Sequence, residues 1–165
     1  MNVDFNVIIT GVATGILAPI AILVVKTLLD FKLAPFFVKY FSWIPVRSMF
    51  RNNPDNISGQ WEQTWDPADS ENFADQNSRH GNTTIRQFGT YCYCEFPAKG
   101  VTYVIFGRVV NGYFVGDWYD KSDAHGYFGA FQLQIVNSKL MKGKWIGHSK
   151  TKHEVKCDEW KWDKL

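Results

Sequence analysis

The chain has 165 residues, a formal net charge of +2, 21% charged residues and 16% aromatic residues, and its mean hydropathy is slightly negative. Such a length suits one domain of about 100–150 residues with an appendage, and the hydropathy excludes a chain that is apolar throughout. Acids and bases alternate along the C-terminal part, which excludes the basic stripe that binding to duplex nucleic acid requires.

The apolar residues concentrate from Val7 to Val25, nineteen residues without a charge and with only Thr10 and Thr14 polar. At about 1.5 Å per residue a helix of that length covers roughly 28 Å, close to the hydrocarbon thickness of a bilayer. A signal peptide wants positive charge before the apolar run and small residues after it, whereas Asp4 precedes this one and Lys26-Thr27-Leu28-Leu29 follows. The segment is therefore predicted to be a transmembrane helix, with residues 1–32 as the anchor. Lys26, Lys32, Lys39, Arg47 and Arg51 all follow it and no basic residue precedes it, so the C-terminal part is predicted to be cytoplasmic and the protein single-pass. Gly11 and Gly15 form a Gly-x-x-x-Gly pair that lets two such helices approach closely, Thr10 and Thr14 offer hydrogen bonds across the contact, and Pro19 supplies a kink. These residues predict a homo-oligomer in the membrane.

From Leu33 to Phe50 the chain is aromatic, with Phe36, Phe37, Tyr40, Phe41 and Trp43 around Lys39 and with Pro35 and Pro45 as interruptions. Aromatics with a snorkelling lysine suit the membrane interface, and residues 33–57 are read as an interfacial helix and linker. A second, short span is the competing reading. It would place Lys26 and Lys32 in an outer loop, against the charge rule. The polar turn formers 51–56 mark the boundary with the domain that follows.

Residues 58–165 change period. Runs of β-branched and aromatic residues recur at Gly59–Trp65, Thr83–Phe88, Thr90–Phe96, Val101–Val110, Tyr113–Tyr119, Tyr127–Val136, Lys139–Ile146 and His153–Trp162, each closed by turn formers. Asn111-Gly112 is a two-residue hairpin signal, and Pro97-Ala98-Lys99-Gly100 and Asn137-Ser138 close two further hairpins. The stretch 67–82 is a long polar loop, a lid or a disordered segment. Eight short strands joined mostly by hairpins predict an all-β fold, a small eight-stranded up-and-down barrel behind the N-terminal transmembrane helix. Gly59-Gln60-Trp61, Gly116-Asp117-Trp118 and Gly143-Lys144-Trp145 place glycine and tryptophan on one face of a strand. Glycine there is expected to let a neighbouring side chain cross the interior while the indole plugs it.

No catalytic constellation is present. His80, His125, His148 and His153 are scattered, no nucleophile motif or phosphate-cradling loop occurs, and Cys92-x-Cys94 without a second pair is a poor metal site. Cys92, Cys94 and Cys157 are read as small buried fillers, and the chain is expected to bind rather than catalyse, without metal or cofactor. Tyr91, Tyr93, Tyr103, Trp118 and Tyr119 offer aromatic faces, while Arg86, Arg108, Lys144 and His148 offer donors to an anion. Stacking surfaces interleaved with cations are what a nucleotide needs, and a solvated outer surface is the competing reading of the same residues.

An N-terminal anchor, a basic linker and a minimal barrel opened by Gly59-Gln60-Trp61 and ended by Trp160-Lys161-Trp162 together resemble the membrane-anchored β-barrel effectors of bacterial cyclic-oligonucleotide antiphage signalling, the two-transmembrane β-rich family. The layout is also similar in kind to the membrane effectors of type III CRISPR systems. The resemblance implies a barrel that senses a cyclic nucleotide and helices that then assemble to disrupt the inner membrane; this chain differs in showing one span instead of two. The rival readings are a membrane-tethered, lipocalin-like carrier of an apolar ligand and a structural subunit of a membrane complex. An open interior lined only by apolar groups would favour the carrier, and a solid barrel whose interfacial segment binds another protein would favour the subunit.

Overall fold

The computed structural model of the protein describes residues 15, 19, 20, 22, 23, 33–46, 54–67, 75, 78–123, 125–148 and 154–165. The chain divides into two compact units, Met1–Phe36 and Phe37–Leu165. In the first unit Gly15, Pro19, Ile20, Ile22 and Leu23 are helical and exposed; Gly11 and the rest of the predicted span 7–25 lie outside the described residues. Among the described residues no helix is long and apolar enough to cross a membrane.

Helix α1 runs from Leu33 to Phe41. Pro35 sits in its first turn, where a missing N–H breaks no intrahelical bond. The helix ends in a turn at Ser42-Trp43, just before Pro45, whose ring disfavours helical backbone in the residue ahead of it. The second compact unit begins inside α1.

Eight strands follow: β1 (Gly59–Trp65), β2 (His80–Phe88), β3 (Tyr91–Ala98), β4 (Val101–Val110), β5 (Tyr113–Asp120), β6 (Phe128–Asn137), β7 (Leu140–His148) and β8 (Val155–Lys164). Each pairs antiparallel with its predecessor and β8 closes onto β1, so the expected eight-stranded up-and-down barrel is formed. Asn111 and Gly112 turn with φ of 51° and 78°, and Lys99 and Gly100 with 47° and 79°, as two-residue hairpins require. Pro97 and Ala98 belong to β3, opposite Thr102 and Val101, instead of to the turn. The β6–β7 turn falls at Ser138-Lys139 after an irregularity between Ile135 and Asn137. Of the expected 67–82 loop, His80, Gly81 and Asn82 open β2, while residues 68–74, 76 and 77 lie outside the described residues.

Alternate side chains fill the barrel. Trp61, Ile105, Phe114, Leu133, Met141 and Trp162 are fully buried. Ring centroids of Phe114 and Phe131 lie 4.7 Å apart, those of Phe131 and Trp160 5.8 Å, and those of Phe114 and Trp162 6.4 Å, all edge-on, so aromatic rings meet across the centre in the geometry their quadrupoles favour. One end is sealed by Ile57, whose N–H donates to Gln87 Oε1 at 3.0 Å while Gln87 Nε2 donates to the carbonyls of Asp55 and Gly89.

Two of the three Gly-x-Trp glycines, Gly116 and Gly143, act differently from the expectation, whereas Gly59 faces the Lys164 side chain. A Cβ on Gly116 would lie 2.2 Å from the carbonyl oxygen of Phe106, and one on Gly143 1.9 Å from that of Gln132. It is the neighbouring backbone, drawn in by strand coiling, that needs the space. A crossing side chain is met instead at Gly147, 2.5 Å from the Trp118 ring.

Cys92 and Cys94 are buried, but Cys157 is exposed. Cys157 pairs with Ile146, which faces outward, so the filler reading does not hold there. Burial raises the Cys92 thiol well above its usual range and pushes Cys94 up to about 12. Because the thiolate is the reactive form, native protein is expected to take one equivalent of iodoacetamide, at Cys157, and all three only after unfolding; peptide mass spectrometry would expose labelled Cys92 or Cys94 as a contradiction.

Candidate functional site

The barrel wall is incomplete at one seam. β2 and β3 are in register only where Arg86, Gln87 and Phe88 face Tyr93, Cys92 and Tyr91. The two-residue turn after Ala98 fixes which β3 residues bond to β4, and the alternation directs the main-chain groups of Tyr93, Glu95 and Pro97 toward β2. Pro97 has no N–H to give, and the Glu95 carbonyl accepts from the Thr83 hydroxyl at 2.8 Å instead of from a β2 amide. Along this seam, on the outer surface, lies a groove of about 420 Å³. Lys39, Arg86, Tyr93 and Glu95 supply its chemistry, with Asn82, Thr83 and Thr84 along β2, and Gln60, Cys94 and Leu165 complete the lining.

Behind the seam, inside the barrel, Gln63 is fully buried, and neither atom of its amide has a hydrogen-bond partner among the described residues. A Cβ built on Gly81 would lie 3.7 Å from both Gln63 Nε2 and the Pro97 carbonyl, which places the amide at the inner edge of the same seam. A buried amide without partners costs about 1–3 kcal/mol, and here it leaves one donor group and one acceptor beside the groove.

The second half of α1 forms the groove's other side. Val38 is 2% exposed and packs on Tyr93 and Val104, with Phe88, Phe106 and Tyr119 around them; such burial is worth about 1.5–3 kcal/mol. Lys39 Nζ lies 2.7 Å from Glu95 Oε1, and Lys121 Nζ 2.7 Å from Glu95 Oε2. The Tyr93 hydroxyl also donates to Glu95. Arg86 Nη1 donates to the carbonyl of Lys39 at 3.1 Å. Two cations, Lys39 and Lys121, thus pair with one carboxylate side chain, and partly exposed pairs of this kind contribute only about 0.2–1 kcal/mol each.

Burial raises the Glu95 carboxyl, but hydrogen bonds from Lys121, Lys39 and Tyr93 outweigh it and hold the group down at about 2. Burial, with the carboxylate of Glu95 next, pushes the Tyr93 hydroxyl far above its ordinary value, so it remains a donor. A depressed carboxyl stabilises the fold fully above its unfolded value of about 4.3, and that contribution fades as pH falls toward 2. Wild type is therefore expected to exceed Glu95→Gln in stability at pH 6, with the gap shrinking between about pH 4.5 and 2. Urea titrations of both proteins across that range would detect a constant gap, which contradicts the assignment.

The nine residues that the sequence singled out for ligand binding fall into three places. Arg86, Tyr91, Tyr93, Arg108 and Tyr119 share the outer face of β2 to β5, where Arg86 registers with Tyr93, and Tyr91 with Arg108; only Arg86 and Tyr93 line the groove. Tyr91 instead stacks on Phe106 at 6.0 Å. Tyr103 and Trp118 point inward and meet edge-on at 5.8 Å, as core. Lys144 and His148 lie on β7, where the His148 ring sits 4.4 Å from that of Phe128. Lys39 and Glu95, which the sequence did not single out for binding, are separated by 56 residues. Among the described residues no group of three or more His, Cys, Asp or Glu could hold a metal ion.

Comparison with protein families, with curated proteins and with solved structures finds no match for this chain. What the fold and groove define is a closed eight-stranded barrel with a filled interior and a polar, cation-rich cleft on its outer wall.

Proposed function

We propose that the barrel is the cytoplasmic sensor of a membrane-anchored antiphage effector, that it binds a cyclic oligonucleotide, and that ligand binding leads its N-terminal helices to associate and permeabilise the inner membrane. One observation carries the reading: the groove sets Arg86 and Lys39 beside the Tyr93 ring on a barrel whose centre is occupied by its own aromatics. Arg86 matches a phosphate through paired N–H groups, Lys39 adds a point charge, and Asn82, Thr83 and Thr84 offer polar contacts along the rest of the cleft. The protein acts as a binder without a cofactor, and the span 7–25 holds it in the bilayer as a single-pass homo-oligomer.

Rings in mutual contact across the interior weigh against the lipocalin-like carrier. The structural-subunit reading is favoured by a different observation: Phe128, Ile146 and Val155 are 57%, 46% and 76% exposed on three adjacent strands, an apolar area of the kind that marks contacts with other molecules.

The experiment is dye uptake or loss of membrane potential in cells that express the protein together with a cyclic-oligonucleotide synthase. Leakage is expected in wild type and is expected to be lost when Gly11 and Gly15 are both replaced by isoleucine, which blocks close helix approach while remaining favourable in hydrocarbon. Equal leakage from both proteins at matched levels would remove helix association from the mechanism, and no leakage in wild type with any synthase would favour the subunit reading.

A further inference from the structure

We propose that the outer face of β6, β7 and β8 is a contact for a second copy of this chain, the two barrels being related by a two-fold axis along the line between β7 and β8. The inference is independent of what the groove binds, and it adds a contact between barrels to the helix contact proposed for the anchor. Strand register sets out this face in rows of outward side chains. Ile146 lies between Ala130 on β6 and Cys157 on β8, all three exposed. In the neighbouring row His148 is opposite Val155 and holds its ring 4.4 Å from that of Phe128. Apart from the imidazole and the thiol this block is apolar, a surface that association removes from water.

The row on the other side of Ile146 identifies the occupant. Lys144 and Glu159 are exposed register partners there, yet among the described residues neither side chain has an ion pair or a hydrogen bond. A two-fold axis between β7 and β8 sets each outward residue of β7 against the β8 residue of the same row in the other copy. Lys144 then meets Glu159 of the second copy and Glu159 meets its Lys144, while Ile146 lies on Cys157 and His148 on Val155, as a self-complementary contact requires. The charges fall at the rim, where they fix register and reject wrong partners. One row further, Lys142 faces a Lys161 that Asp163 already neutralises at 2.7 Å, and strand twist carries that row away from the axis. An anionic bilayer surface is the poorer occupant, because Glu159 would meet it as a like charge. The face is small beside the roughly 20–30 residues a side of a stable complex, so the contact is a weak one, populated when two chains are held at high local concentration, and Cys157 stays open to reagents between encounters.

Cys157 makes the contact measurable. Adjacent strands are about 4.8 Å apart, so an axis between β7 and β8 brings the two Cys157 thiols within reach of a short bis-maleimide, whereas Cys92 and Cys94 are buried. Cells expressing the full chain would be treated with a membrane-permeant bis-maleimide, and the products read by immunoblot and peptide mass spectrometry. Wild type is expected to give a dimer joined through Cys157. Lys144→Glu, which sets acid against acid across the axis, is expected to lower the dimer yield at least about fivefold, and Lys144→Glu combined with Glu159→Lys to restore it to within about twofold. Ile146→Lys, which places a charge in the apolar block, is expected to lower the yield as Lys144→Glu does. Cys92 and Cys94 that stay unlabelled in a variant show that its barrel is intact, and the double reversal decides the matter even if Ile146→Lys folds poorly. Absence of the dimer in wild type, a yield that Lys144→Glu leaves unchanged, or a double reversal no better than the single one would overturn the proposal. Capture of a different protein through Cys157 in place of the dimer would overturn it as well.

Discussion

Arg86→Glu is expected to lower affinity for a cyclic nucleotide by more than tenfold, and Arg108→Glu to leave it unchanged. The two arginines look equivalent in sequence, each an outward residue of a strand beside an aromatic. Arg86, however, lines the groove and registers with Tyr93, whereas Arg108 registers with Tyr91, whose ring is stacked on Phe106 outside the groove. A hydrogen bond to a charged partner is worth about 1.5–3 kcal/mol, which sets the tenfold floor, and reversal of charge adds repulsion to that loss. Calorimetric titration of both variants is the measurement. An equal loss in both would spread the site across the β2–β5 face, and a loss at Arg108 alone would move it off the groove.

Gly129→Ala and Gly143→Ala are expected to be among the most destabilising single substitutions in the barrel. A Cβ at Gly129 would lie 1.8 Å from the Ile146 carbonyl oxygen, and one at Gly143 1.9 Å from that of Gln132. Both obstacles are backbone on the neighbouring strand, so no rotamer change relieves them, and β6 and β7 must separate at the cost of their ladder. Overpacking against atoms that cannot yield costs about 3 kcal/mol or more, or on the order of 10 °C in Tm for a chain of this size. Gln132→Ala, an exposed side chain on the same strand pair, is the control, with an effect of about 0.5 kcal/mol or less. Thermal unfolding in which the glycine variants match that control would mean that the strands tolerate a wider approach than their coiling suggests.

The strands were legible because each carries its own signal. Gly59–Trp65 and Val101–Val110 are bounded as the sequence suggested, the end of the latter set by the Asn111-Gly112 turn, and the other strands differ by a few residues at their ends. Pro97 misled at short range: proline reads as a turn former, yet β3 tolerates it because the missing N–H falls on the side where pairing with β2 has already lapsed. That same feature opens the groove, so the residue that blurred the strand boundary is part of the site. The Gly116-Asp117-Trp118 spacing already turned Trp118 inward as a plug, whereas the inward phase of Tyr103, which it meets edge-on, depends on register around the whole barrel. Lys39 could not be found this way. Its role comes from the docking of α1 against β3, a contact between residues 56 apart in the chain, and nothing local in an aromatic helix says which face will meet a barrel and which a membrane.

The central claim, that the outer groove is a receptor for a phosphate-bearing cyclic nucleotide, is tested most directly by titrating the full chain in detergent with cyclic di-, tri- and tetranucleotides at two salt concentrations. The account predicts saturable binding of at least one of them, weakened by salt as charges at a partly exposed site require and accompanied by a change in the environment of Tyr93. Absence of binding across the panel, with saturable and salt-independent uptake of an apolar probe instead, would contradict it.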